Sequence, residues 1–204
     1  MNDTKAAFVT SATSFASVVS TVRDEQWNAP GLGEWDVREL VGHALRGVTT
    51  APTYLEAAGP SSGITLATAG DYVRAAFSTA GVHASVAQRG REAGAALGDD
   101  PAGAVRAAVD AAVATVSAAS PDAVVATPFG TMRLDTYLPT RIVELVVHTD
   151  DLCRAVGHGP VATATELRIV LGVLAESADP ASGLLIVRAL LGRVDLPAGF
   201  NLWA

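Results

Sequence analysis

From Arg106 to Ala114 the chain reads Arg-Ala-Ala-Val-Asp-Ala-Ala-Val-Ala, and alanine supplies much of its apolar content elsewhere. Half of the 204 residues are apolar, yet only 5% are aromatic. Alanine has the best helix propensity and little bulk, so a core of this composition is filled by closely spaced helices rather than by large side chains. The length fits one ordinary domain, or a domain with a small appendage. A mainly α fold is therefore expected.

Local patterning divides the chain into helices. Phe8, Phe15, Val18, Val19 and Val22 recur at three- and four-residue spacings, which predicts a first helix over 4–22. Trp27 to Trp35 carries Pro30, Gly31 and Gly33 and reads as a loop. Asp36 with Glu39 forms a capping-box pattern, and the helix it opens is expected to run through Leu40, Val41, Leu45 and Val48 to Ala57, despite Pro52. After a loop at Pro60–Gly63, one long helical stretch is expected over 71–97. Gly81, Gly90 and Gly94 weaken its regularity, each costing about 1 kcal/mol relative to alanine. Asp100 and Pro101 suit the N-cap and first residue of the Ala-rich helix, which ends near Ser120 and Pro121. Val124 to Leu134, interrupted by Thr127-Pro128-Phe129-Gly130, predicts a short hairpin or an irregular loop. The last bundle helix is expected over 135–156, ended by Gly157 and Gly159. Helices over 165–177 and 182–191 follow, and the tail from Leu196 to Trp203 is expected to pack on the surface. The division expected is a bundle over 1–160 and a helical extension packed on it over 161–204.

A net charge of −7, with the acidic residues dispersed, argues against nucleic acid or an anionic membrane as the main partner. Cys153 stands alone, so no internal disulfide can form. The N-terminus lacks the basic start and continuous apolar core of a signal peptide, and no uninterrupted apolar stretch is long enough for a membrane span. A cytoplasmic location is the expectation. P-loop, dinucleotide-binding and G-x-S-x-G patterns are absent.

Chemistry is carried by three residues in apolar company. Glu144 and His148 are four apart on a predicted helix, so a carboxylate and an imidazole can aim at one point. Their neighbours Ile142, Val143, Leu145, Val146 and Val147 make an unpaired carboxylate costly there, which calls for a partner or a cation. A surface ion pair satisfies the same spacing. His43 lies in Leu40-Val41-Gly42-His43-Ala44-Leu45 on another predicted helix, where a core histidine bonded to a carbonyl is the plainer reading. Two histidines and one glutamate brought together leave open coordination positions, the pattern of a catalytic rather than a structural metal site.

The segment Trp35-Asp36-Val37-Arg38-Glu39-Leu40-Val41-Gly42-His43 resembles the second-helix signature of mycothiol-dependent maleylpyruvate isomerase-like proteins, a branch of the DinB-like metal-binding bundles. Pro139-Thr140-Arg141-Ile142-Val143-Glu144-Leu145-Val146-Val147-His148-Thr149-Asp150-Asp151-Leu152 resembles its fourth helix, and Thr127 to Met132 its connecting segment. The resemblance spans most of 4–160. It implies a DinB-like four-helix bundle holding one divalent metal, usually zinc, with His43, Glu144 and His148 as the ligand set. It further implies mycothiol as a cosubstrate, an electrophilic small molecule as its acceptor, and a transferase or isomerase reaction. The founding enzyme isomerises maleylpyruvate to fumarylpyruvate and carries a further sterol-carrier-like domain after the bundle. The stretch after residue 160 is too short for that domain. The alternative on the same residues is a non-catalytic, metal-stabilised bundle acting as a binding or regulatory protein.

Two further residues are candidates for catalytic roles. Asp151 falls nearly on the face of Glu144, where it can orient a ligand or accept a proton; an exposed helix-end acid is the competing reading. Arg141, three before Glu144, can pair with that carboxylate or bind an anionic substrate. Cys153 projects opposite Glu144 and reads as a small buried hydrophobe. His83 reads as structural or exposed, and His158 as a loop residue. Trp27 and Trp35 are expected to pin the turn before the second helix, with one of them available to wall a pocket. Leu184, Leu185, Val187, Leu190 and Leu191 offer an apolar face for a homodimer or for covering the bundle.

Overall fold

Side-chain caps set where the helices begin in this computed structural model, which describes residues 3–59, 63–78 and 82–203. Helix α1 spans Asp3–Val19. A 3-10 turn, Asp24–Gln26, leads to a two-stranded ladder of β1 (Pro30–Leu32) and β2 (Trp35–Asp36). That ladder replaces the loop expected between Trp27 and Trp35: Gly33, at φ +58°, makes the tight reversal that lets the two short segments pair. Asp36 then caps α2 (Val37–Glu56), its Oδ1 accepting from the Glu39 N–H at 2.8 Å while Glu39 reaches back to the Asp36 N–H at 3.2 Å. Pro52 lies inside α2 without ending it. Beside it, the hydroxyls of Thr50 and Thr53 donate back to the carbonyls of Arg46 and Thr49.

The stretch expected as one helix over 71–97 holds two, α3 (Ala69–Phe77), capped by Thr68 and Asp71, and α4 (Val82–Ala95). Gly81 lies outside the described residues, and Gly90 and Gly94 are contact points. A Cβ on Gly94 would sit 2.9 Å from Glu39 Cα, and one on Gly90 would enter the Trp35 ring, so α4 lies backbone-close against the start of α2. The Ala-rich α5 is Pro101–Ala118, with Asp100 as its N-cap. The sole lysine, Lys5, is buried and donates to the Ser117 and Ala119 carbonyls at the end of α5, where a cation complements the helix dipole.

Between α5 and the last bundle helix lies a hairpin, β3 (Val124–Thr127) with β4 (Gly130–Arg133), in register Val124↔Arg133 through Thr127↔Gly130. Helix α6 covers Leu134–Val156 and ends on Gly157 in the left-handed region at φ +75°. Helices α7 (Ala164–Ser177) and α8 (Pro180–Leu190) follow.

Helices α1, α2, α5 and α6 form the four-helix bundle: α5 and α6 each pack against both α1 and α2. The contacts of Gly47 with Glu144, and of Thr50 and Tyr54 with Tyr137, run in opposite sequence directions, so α2 and α6 are antiparallel neighbours. The core between the four helices is apolar and closed, with Phe8, Phe15, Leu40, Tyr137, Leu138, Ile142, Leu145 and Leu152 fully buried. Burying a side chain of this size contributes about 1.5–3 kcal/mol.

Helix α7 lies on α3 and α6. Glu166 anchors it in a way the sequence pattern did not reveal. Its Oε2 accepts from the Thr163 N–H and hydroxyl at 2.7 and 2.6 Å, while Oε1 accepts from Ser11 on α1 at 2.5 Å. The Trp203 indole N–H bonds Ser177 at 2.9 Å and the ring stacks by Phe77, so the tail packs on the surface as expected. Helix α8 exposes Leu184, Val187 and Leu190. Among the described residues, no helix is long and apolar enough to cross a membrane.

Candidate metal centre

His43 comes from the second turn of α2, and Glu144 and His148 from successive turns of α6. Because the two helices are antiparallel neighbours, the three side chains meet. One ligand atom from each lies within 4.8 Å of the others. Nε2 of His43 and Nε2 of His148 both face Glu144 Oε2, at 3.7 and 3.4 Å. A tetrahedral ion with ligand bonds of about 2.1 Å holds its donors about 3.4 Å apart, so this spacing fits one such ion with little movement. Two imidazoles and one carboxylate are also a suitable donor set for a divalent metal. The side chains are 14%, 32% and 16% exposed for His43, Glu144 and His148, so the group is sheltered but reachable.

The helices approach closely here because small residues allow it. A Cβ on Gly47 would lie 3.3 Å from Glu144 Cβ, and one on Gly42 would lie 2.6 Å from Gly94 Cα. His43 is thus set between two close backbone contacts, one towards α6 and one towards α4. The Trp35 ring lies 4.6 Å from the His43 ring, held by its indole N–H to the Ala87 carbonyl at 3.2 Å. Trp35 therefore walls the site, the role the sequence left open for it. Trp27, also buried, has the Arg38 guanidinium over its ring.

Asp151 is only 8% exposed, which excludes the reading as an exposed helix-end acid. Its Oδ2 lies 3.2 Å from His148 Nδ1, and its other oxygen accepts from Arg154. A proton held on Nδ1 by this carboxylate leaves Nε2, the atom facing Glu144, with a free lone pair. On the other imidazole, Nδ1 of His43 is buried with no hydrogen-bond partner among the described residues.

The electrostatics follow from this packing. Burial pushes the Glu144 carboxyl up, but the hydrogen bonds from His148 and His43 and the charge of Arg141 outweigh it and hold it well below the ordinary carboxylate range. Burial likewise opposes charge on His148, yet Asp151 and Glu144 together raise it to about 9. Burial dominates at His43 and lowers it. Without a cation, the site is a carboxylate sharing the proton of His148.

Arg141 does not pair with Glu144. It is buried, and its guanidinium lies over the rings of Tyr137 and Tyr72 at 4.9 and 5.4 Å. The Tyr137 phenol is occupied with Thr50 at 3.1 Å. The sequence reading did not find this aromatic surround; the four-residue spacing of Tyr137 and Arg141 on one helix was its only local sign. Cys153 is buried, as expected, with burial raising its thiol pKa and Sγ 3.8 Å from His158 Nδ1. The side chain of His83 lies outside the described residues.

Residues 8–153 match the family model described as the mycothiol maleylpyruvate isomerase N-terminal domain. No curated protein and no solved structure matches the chain.

Proposed function

The chain belongs to the mycothiol maleylpyruvate isomerase N-terminal domain family, and from that premise we propose that it holds one divalent metal ion, zinc first among the choices, through His43, Glu144 and His148. We propose further that it activates a low-molecular-weight thiol, mycothiol or a relative, for transfer to or isomerisation of an electrophilic small molecule. The observation that carries this reading is the convergence of both Nε2 atoms on one Glu144 oxygen, in a group partly open to solvent.

In this reading His43, Glu144 and His148 would hold the cation, which would supply a lowered pKa to a thiol or water beside it. The remaining work belongs to the chain. Asp151 orients His148 by holding the proton at Nδ1, a positioning role. Trp35 fixes the His43 ring and keeps water from that side of the group. The depressed pKa of Glu144 keeps it ionised at neutral pH, ready to serve as a ligand.

The test is metal content by mass spectrometry on protein purified without a histidine tag, beside His148→Ala. Close to one ion per chain in the parent, with loss in the variant and loss of thiol binding, is the expected outcome. Equal metal content and equal thiol binding in both proteins would overturn the assignment.

A further inference from the structure

Arg141 is the most deeply placed cation near the centre, and it has no directly paired carboxylate, only the more distant charge of Glu144. Arg141 is 8% exposed. Nε donates to the Thr140 hydroxyl at 3.0 Å and Nη2 to the Tyr72 hydroxyl at 3.4 Å, a long bond. Nη1 makes no hydrogen bond with any described residue. No described carboxylate comes within ion-pair distance of the group. A guanidinium carries five N–H donors in a planar fork, and two are used here. Burying such a charge without a directly paired anion is costly, and the tyrosine faces and the more distant Glu144 charge offset only part of that cost. A fold that needed only volume at this position would be served better by an apolar residue.

The position relates Arg141 to the metal group. Arg141, Glu144 and His148 follow one another at i, i+3 and i+7, so they share one face of α6. Arg141 sits one turn from Glu144, on the side away from His148, or about 4.5 Å along the axis. Tyr54 from α2, Tyr72 from α3 and Tyr137 from α6 surround it, their rings in contact at 5.5 to 5.9 Å. Burial raises the phenol pKa of Tyr54 and of Tyr137, so the lining supplies aromatic surface and hydroxyls.

We propose that Arg141, with Tyr72 and Tyr54, is a carboxylate-binding subsite that anchors an acidic ligand one helical turn from the metal group. The proposal rests on the functional reading above for its reaction, but not for the binding itself. A carboxylate takes the free edge of the fork, supplies the direct ion pair that the fold does not, and aligns the rest of the molecule along α6 towards Glu144 and His148. Bidentate guanidinium–carboxylate pairing supplies both the affinity and the orientation.

The probe is benzoate, with benzamide as its neutral isostere, titrated by calorimetry into the parent protein, Arg141→Met and His148→Ala. Benzoate should bind the parent and His148→Ala alike, benzamide should bind neither, and Arg141→Met should lose roughly tenfold to a hundredfold in affinity. Retention in His148→Ala keeps this result separate from the fate of the metal assignment. Two sources can supply the carboxylate, the electrophile or the thiol, and competition distinguishes them. Displacement of benzoate by N-acetylcysteine but not by N-acetylcysteamine assigns it to the thiol; displacement by neither assigns it to the electrophile. Thermal melting guards against a structural artefact, because removing a buried charge that no carboxylate pairs directly should leave Arg141→Met melting at or above the parent. Equal benzoate affinity in the parent and Arg141→Met, no benzoate binding to the parent, or a clearly lower melting temperature or failure to fold in Arg141→Met would each overturn the proposal.

Discussion

Two glycines inside helices respond oppositely to alanine, and the difference measures how tightly α4 is seated against the helix that carries His43. Gly42 and Gly172 both lie within helices, α2 and α7, so at either position alanine gains about 1 kcal/mol of helix propensity. Nothing lies within 4 Å of a Cβ on Gly172, so that gain is kept. A Cβ on Gly42 would fall under 3.0 Å from the backbone of Ala93 and Gly94, with Gly94 Cα at 2.6 Å, where ordinary contact begins at 3.4 Å. The obstacle is main chain and cannot rotate away, and Gly94 N lies nearer still than Gly94 Cα, so α2 and α4 must part by about 1 Å or more. Overpacking of this kind costs about 1–3 kcal/mol, and the rigidity of the obstacle places Gly42→Ala towards the upper end. Net of propensity, Gly42→Ala should destabilise by about 1–2 kcal/mol, lowering the melting temperature by roughly 2–8 °C for a chain of this length. Gly172→Ala should raise it by roughly 2–4 °C. Scanning calorimetry on the two variants reads both signs at once. A Gly42→Ala protein that melts with or above the parent would refute the close approach of α2 and α4.

Three other outcomes follow from the centre and its support. In metal-free protein, the pKa of His148 is raised to about 9 from an ordinary 6.5, so its protonated form stabilises the fold by roughly 3 kcal/mol. That contribution is fully present below pH 6.5 and lost as pH rises through 9, so chelator-treated protein should melt progressively lower across that window, and His148→Ala should flatten the slope; a parent curve without slope sinks the assignment. Because the same proton must leave for an ion to bind, zinc affinity should climb with pH below about 9. Glu166→Ala strands the Ser11 hydroxyl and the Thr163 N–H, and should cost about 2–3 kcal/mol in a urea titration; a midpoint unchanged from the parent would show that α7 is held by apolar contact alone.

Most of the helices, the caps of α2, α5 and α6 and the three candidate donor residues could be read from the chain. Asp36 with Glu39, Asp100 with Pro101 and Gly157 act within a turn of themselves, so local chemistry specifies them wherever the helix goes. The resemblance pointed to His43, Glu144 and His148, and the four-residue spacing put two of them on one face. What a linear reading could not supply was anything set by the approach of separate elements. Gly90 and Gly94 look like helix weakeners in sequence, yet they are the surfaces on which Trp35 and Glu39 lie. Glu166 looks like half of a local capping box, but its second oxygen crosses to Ser11, 155 residues away. Arg141, three residues from a carboxylate, reads as its partner or as a site for an anionic substrate, and the packing of α3 and α6 turns it away from pairing and into a cage of tyrosines. Sequence alone determined which groups this protein has and where most of its helices start and stop, because those depend on interactions within a few residues. Which groups meet, and which charge is left without a partner, was decided only by tertiary packing, because burial and distance between helices have no local signature.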